Sequence, residues 1–406
     1  MVVKSLSLFG KELFRVERNR LGEFSYTIMD GGNDFIQSER YLETSLTNPV
    51  LMTICALRSK IYSQMKIKHI NAKGEVIEGS PYVKILSQPN FFQSQQDFFF
   101  QQMWFLSATG NCYTYQKKAF LNELPKALYN LIPSDIDFDK VHKINNFIVT
   151  EKDKKAYGER QIKYTLDDTE YKIKLSDIIP FYDLANGLKS NTFMISPSRV
   201  KGIIKVLENI EQNLKSKHIN LQMSQKYLAT NKNNMQGVAT PLQDGDRTAI
   251  ERVLGSKSMQ ITNNDIQVSH LVSDMKRLFL DEQFSSDALK CLLAFDMNKD
   301  ILNYSLAGGS TYENQEKGEL RYLQNSIQTT ADNTMNSFSS QWGLIDSGEK
   351  LIASYDHLNI MQPVMNEKIA TLKTFQEVIK LSLDNGTMTD AEAKQKTTDL
   401  LIKLGM

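Results

Sequence analysis

Leu289-Lys290-Cys291-Leu292-Leu293-Ala294-Phe295-Asp296-Met297, followed nine residues later by Leu306-Ala307-Gly308-Gly309-Ser310-Thr311-Tyr312-Glu313-Asn314-Gln315-Glu316, is the stretch on which the fold turns. The wider segment, Phe279 to Thr330, reads as a helix, a Gly-rich break and a second helix. Leu289, Leu292, Leu293, Met297 and Ile301 recur at helical spacing. Gly308 and Gly309 tolerate a positive φ and a mobile backbone. From Tyr312 onward Asn, Gln, Thr and Glu dominate. A helix that is polar almost all round faces solvent or packs against copies of itself.

The chain around this stretch is ordinary in bulk. Its 406 residues are enough for two or three substructures with a core. No apolar run reaches the roughly 18 residues of a membrane span. Met1 to Ser5 does not open a secretory signal. The formal net charge is +1, so no global basic surplus exists for gripping nucleic acid; any contact with DNA is local and weak. Cys55, Cys112 and Cys291 lie far apart, without metal or redox spacing, and read as small buried hydrophobes.

Residues 1 to about 45 show little periodicity and read as an arm. Asn48-Pro49 opens a helix with a stripe of Val50, Leu51, Ile54, Leu57 and Ile61. Met65, Ile67 and His69 alternate as a strand. Ser94 caps a helix whose Phe98, Phe99, Phe100, Trp104 and Phe105 read as core, with subunit packing as the other use. Gly110-Asn111 ends it, and Cys112 to Tyr115 reads as a strand with its aromatics outward. Further short strands up to Tyr182 make a mostly antiparallel region. Ser196-Pro197 starts a long helix expected to reach about Thr230, about 50 Å if unbroken, with Leu214 and Leu228 on its apolar stripe. Between Arg199 and Lys232 it holds seven basic side chains against Glu208 and Glu211. These are a solvated or inter-subunit face, or point charges for phosphates. Thr389 with Glu392 is a capping box for the last helix. The fold class is α+β.

No constellation for chemistry emerges. There is no P-loop, no G-x-S-x-G and no H-E-x-x-H. His69, His142, His218, His270 and His357 are scattered, so no metal site is expected. Asp296 with Asp300, and Asp167 with Asp168, read as solvated charges rather than catalytic pairs. An interaction or structural protein is expected, without catalytic residues or cofactor. A nucleic-acid-processing enzyme would need a cluster of titratable groups that the sequence does not offer.

Taken in order, several pieces resemble the portal proteins of tailed double-stranded DNA bacteriophages, in the compact siphovirus-type family. They are Asn48-Pro49-Val50 with Cys55-Ala56, and Leu86-Ser87-Gln88-Pro89-Asn90 followed by an aromatic helix and Gly110-Asn111-Cys112-Tyr113. Leu131-Ile132-Pro133 and Ile195-Ser196-Pro197-Ser198 come next. Leu292-Leu293-Ala294-Phe295-Asp296-Met297 and Thr311-Tyr312-Glu313-Asn314-Gln315-Glu316 complete the set. One departure stands out: the family's Gly-Val-Pro is Asp296-Met297-Asn298 here, so the helix is expected to run further.

The resemblance implies a ring, a dodecamer, with a central channel for DNA at one capsid vertex. It implies a wing (1–195), a first stem helix (196–231), a clip (232–275) and a second stem helix (276–303). A tunnel loop (304–312), a channel-lining helix with a wing return (313–364) and a helical crown (365–406) follow. Leu306, Ala307, Gly308, Gly309, Ser310 and Thr311 would form the loop facing DNA. Asn314, Lys317, Lys226 and Lys232 would be channel-facing polar groups. The implied partners are further copies of the chain, double-stranded DNA, the terminase large subunit, the major capsid and scaffold proteins, and head-completion or adaptor proteins, with no membrane. The implied location is the virion, and the host cytoplasm during assembly. The alternative is another ring-forming head–tail connector. Near-neutral charge and a small polar loop suit a conduit, because each phosphate contact adds salt-dependent affinity and hence friction.

Overall fold

A computed structural model describes residues 3–8, 11–18, 24–28, 36–118, 124–138, 151–166, 169–185, 194–223, 227–231, 266–270, 280–298, 312–385 and 388–404. Its elements run β1 (Val3–Leu8), β2 (Lys11–Arg18), β3 (Phe24–Ile28), α1 (Ile36–Thr47), α2 (Pro49–Tyr62), β4 (Lys66–Ile70), α3 (Pro81–Ser87), α4 (Gln95–Thr109), β5 (Asn111–Lys117), β6 (Ala127–Leu131), β7 (Ile136–Asp137), α5 (Glu151–Gly158), β8 (Gln161–Leu166), β9 (Thr169–Lys174) and β10 (Ile178–Tyr182). Then come α6 (Arg199–Met223), β11 (Tyr227–Asn231), β12 (Ile266–His270), α7 (Leu280–Ala294), α8 (Tyr312–Tyr322), α9 (Gln328–Gln341), β13 (Lys350–Ser354), α10 (Gln362–Asp384) and α11 (Asp390–Leu404). The class is α+β, with small antiparallel sheets among helices.

The described residues up to Lys201, together with those from Tyr312 on, form one compact unit. Gly202 to Asn298 form a second. In the first unit, β1-β2-β3 is an antiparallel meander, so the arm has strands that its weak periodicity did not announce. Helix α1 was also not expected. It abuts α2 at Asn48, whose side-chain oxygen accepts from the N–H groups of Val50 and Leu51, each at 3.2 Å. Pro49 starts α2 at the position where a missing N–H costs nothing.

Strand β5 is central to the sheet β10-β5-β6, and β7-β8-β9 packs beside it. Tyr113, Leu131, Phe138, Ile162 and Ile178 fill the space between the sheets. Tyr113 is fully buried, which corrects the outward reading: both faces of a central strand are covered. Helix α4 is closed at its start by the reciprocal Ser94–Asp97 capping box. Its Phe98, Phe99 and Phe105 are core, whereas Phe100 and Trp104 are half-buried and stack on each other.

A polar network stitches the helices. The Tyr62 hydroxyl bonds Thr334 Oγ1 at 2.7 Å and Gln102 Oε1 at 3.0 Å, and Tyr355 donates to the Tyr62 carbonyl at 3.0 Å. Strand β13 pairs with β4 across most of the chain's length. In the second unit, β11 pairs with β12.

Two expectations about the long elements are corrected. Helix α6 ends at Met223, so Leu228 belongs to a strand and not to the helical stripe. Val200, Ile203, Leu207 and Ile210 are buried, but Leu214 is already exposed. Helix α7 ends at Ala294 and does not run on. Asp296 adopts φ 59°, and the Met297 N–H reaches back to the Leu292 carbonyl at 3.0 Å, a Schellman closure. A short polar residue tolerates this left-handed position, though glycine suits it better. Asp296→Gly is therefore expected to raise stability by about 0.5–1 kcal/mol, read as a higher urea midpoint with an unchanged slope.

Candidate functional site

Several motifs distant in sequence meet at one place, the root of α6. Gly110 ends α4 at φ 79°, and the backbone of Pro197 lies directly against it. Asn111 reads the backbone of Ser196 from both sides. Its Oδ1 accepts from the Ser196 N–H at 2.7 Å, and its Nδ2 donates to the Ser196 carbonyl at 2.8 Å. Tyr113 donates its hydroxyl to the Met194 carbonyl at 2.6 Å. Ser198 donates to the Ala108 carbonyl at 2.8 Å and accepts from the Val200 N–H at 3.0 Å, so it caps α6 while tying it to the end of α4. The Gly-Asn-x-Tyr and Ser-Pro-Ser pieces are thus two halves of one clasp.

A buried ion triad reinforces it. Asp183 follows β10 and binds Arg58 Nη2 of α2 at 2.9 Å and Arg199 Nε of α6 at 2.5 Å. The side chains of Arg58 and Asp183 are wholly buried. Burial alone would raise the Asp183 carboxyl, yet Arg58 and Arg199 hold it below the usual carboxylate range. Cys55, one turn from Arg58, is pushed up to about 12 by burial and is inert. The triad was not visible in the sequence. A second motif, Pro89-Asn90, is architectural too. Asn90 accepts from the N–H groups of Phe92 and Gln93 and donates to the Leu128 carbonyl, each at 2.9 Å.

Among the expected channel residues, Lys317 lies exposed on α8. Leu306 to Thr311, Lys226 and Lys232 lie outside the described residues, as does the side chain of Asn314. The polar helix itself is present, but its character changes midway. Tyr312 to Arg321 is polar, whereas Tyr322, Leu323, Ile327, Ala331, Met335 and Phe338 are buried. The expectation of a helix polar throughout is therefore corrected from Tyr322 on. In the second unit, α6 and α7 border a cleft of about 620 Å³ lined by Asn209, Asn213, Ser216, Gln283, Asp287 and Lys290. Lys290 meets Asp287 there at 2.7 Å. Among the described residues no group of three metal-ligating side chains converges, and no helix is long and apolar enough to cross a membrane.

No protein-family model matches the sequence, and no curated protein does either. Solved structures do. A chain in the neck of the empty gene transfer agent particle, computed with C6 symmetry, superposes with a TM-score of 0.62 at 15% identity, over 84% of this chain and 90% of that one. The neck of the native particle, computed with C12 symmetry, gives 0.59 at 14% identity, over 91% and 94%. This chain has the fold of a particle-neck component. A crystal structure of an HK97-family phage portal protein from Corynebacterium diphtheriae aligns at a TM-score of 0.49, 9% identity, over 76% of this chain and 93% of that one.

Proposed function

We propose that the chain is the subunit of a phage-type portal, a non-enzymatic ring that forms the DNA conduit at one vertex of a capsid. The observation that carries this reading is the neck fold, matched over more than nine-tenths of both chains in the C12-symmetric neck. The order of the motifs and the absence of sequence signatures for nucleotide or metal chemistry agree with it. On this reading the first compact unit is the wing with its return and crown. Helices α6 and α7 are the two stem helices, and the segment between them, with β11 and β12, is the clip that meets the terminase large subunit and later the head-completion proteins. Leu306 to Thr311 form the tunnel loop, with Asn314, Lys317, Lys226 and Lys232 toward the channel. Wing and crown meet the major capsid and scaffold proteins, first in the host cytoplasm and then in the virion. A near-neutral chain suits the task, since a channel that slides DNA must hold few phosphates.

Single-particle imaging of the purified full chain tests this. The expected result is a twelvefold ring with an axial opening and residues 306–311 at its narrowest point. A monomer, or a closed assembly without an axial opening, overturns it.

A further inference from the structure

The N-terminal meander has one apolar face. Its register sets Leu6 opposite Phe14, Phe14 opposite Ile28, Val16 opposite Tyr26 and Arg18 opposite Phe24. Residues directly opposite each other in an antiparallel pair share a face, and the face alternates along each strand. Leu6, Phe14, Val16, Phe24, Tyr26 and Ile28 therefore occupy one face, together with Lys4 and Arg18. In the regularly paired part of the sheet the other face holds Val3, Ser5, Arg15, Glu17, Ser25 and Thr27. A small sheet is stabilised by burying its apolar face against another element. Among the described residues no helix and no other strand packs along this one.

The body of the same chain carries a second bare apolar surface. Phe91 and Phe92, just before α4, are 89% and 82% exposed, and their rings meet edge to face at 5.4 Å between centroids. Single exposed hydrophobic residues are common. These two are adjacent and held in place. The Asn90 hydrogen bonds fix their loop, as does the Leu128 N–H, which donates to the Pro89 carbonyl at 2.7 Å. Aromatic groups ordered before they bind lose little entropy when covered, and buried aromatics anchor interfaces. The one charged residue between Pro89 and Thr109 is Asp97, exposed in the first turn of α4 and opposite in sign to Lys4 and Arg18.

We propose that the apolar face of β1-β2-β3 docks on Phe91 and Phe92 of a second copy of the chain. Within one chain the two surfaces do not meet, since Phe91 and Phe92 stay exposed with the meander present. Each copy has one of each, so contacts between copies pair them all. A contact between two different surfaces is heterologous, and repeated around an axis it closes a ring. The proposal rests on the self-assembly in the portal reading, not on DNA.

Val16→Cys in the meander and Gln96→Cys beside the aromatic pair test this with a short bismaleimide; the native Cys55, Cys112 and Cys291 are buried. An equal mixture of the two single-cysteine chains is expected to give a covalent dimer that neither gives alone. The chain with both cysteines should give a ladder of covalent oligomers. A cross-linked monomer instead of the ladder puts the meander on its own body and overturns the proposal. Phe91→Ser with Phe92→Ser should leave the melting temperature of the dilute monomer unchanged and raise the concentration needed for assembly by roughly hundredfold or more. Unchanged assembly overturns the proposal as well. Rings without cross-links sink the docking contact and leave the portal reading intact. Cross-linked chains that never close into rings do the reverse, and neither rings nor cross-links would end both.

Discussion

Replacing Asp183 with alanine is expected to lower the free energy of unfolding of the first unit by about 3–5 kcal/mol, the cost of breaking a buried ion network by removing one partner. The reason is charge. Without Asp183, Arg58 has lost its carboxylate in a site from which its side chain is wholly shut off from water, and Arg199 loses the same partner. Urea unfolding monitored by tryptophan fluorescence reads the loss, because Trp104 and Trp342 both lie in that unit. The companion triple variant Arg58→Met, Asp183→Leu, Arg199→Met separates two meanings of the triad. Apolar replacements of similar volume are often neutral or stabilising. If the triple variant recovers the stability but the ring no longer forms, the triad serves to aim the first turn of α6. If it recovers both, the charges matter only to each other.

The same carboxylate sets an acid limit. Its pKa is depressed in the folded chain, so on acidification the unfolded chain takes up the proton first. The contribution is full above the ordinary aspartate value of about 3.9 and is lost as pH falls through the folded value. Between neutrality and about pH 5 it should be constant.

What could be read from the sequence, and what could not, divides along one physical line. Helix ends were legible at Asn48-Pro49, Ser94 and Thr389 with Glu392, because a cap is a contact between neighbours in sequence. Gly110 was legible as a stop for the same reason. The Arg58–Asp183 pair joins residues 125 apart, and nothing local marks either. The burial of Tyr113 depends on a second sheet covering β5. The meander of β1 to β3 depends on pairing between strands rather than on apolar alternation within one. The candidate site was legible only as a polar helix after a Gly-rich break. The burial of Tyr322 and Leu323 next to that helix's polar start goes with a five-residue π-helical turn, Leu323–Ile327, whose sequence looks like that of any other helix. The departure at Asp296 shows the reverse case. The missing Gly-Val-Pro suggested a longer helix, but an aspartate takes the left-handed position that glycine would fill, and the helix stops.

Gly110→Ala should disable the clasp at the root of α6. Two costs combine at one atom. The backbone there has φ 79°, where an L side chain costs roughly 1–2 kcal/mol. The added Cβ would also lie 2.7 Å from the Pro197 carbonyl oxygen and 3.0 Å from its carbonyl carbon, closer than such atoms approach. Pro197 cannot move aside alone. Asn111 holds Ser196 on one side by two hydrogen bonds, and Ser198 is bound to the Ala108 carbonyl on the other. Relief therefore requires pushing residues 196–198 off the end of α4, which opens those bonds. A net loss of about 3 kcal/mol would follow from the strain and two opened hydrogen bonds, and a fall in melting temperature of roughly 5 °C for a unit of this size. Gly343 has nearly the same φ, 70°, but nothing within 4 Å of a Cβ. Gly343→Ala thus carries the backbone strain alone. If both variants melt at the same temperature, close approach to Pro197 contributes nothing and the clasp is merely a turn; a fall at least twice as large for Gly110→Ala places the cost in the contact that seats α6.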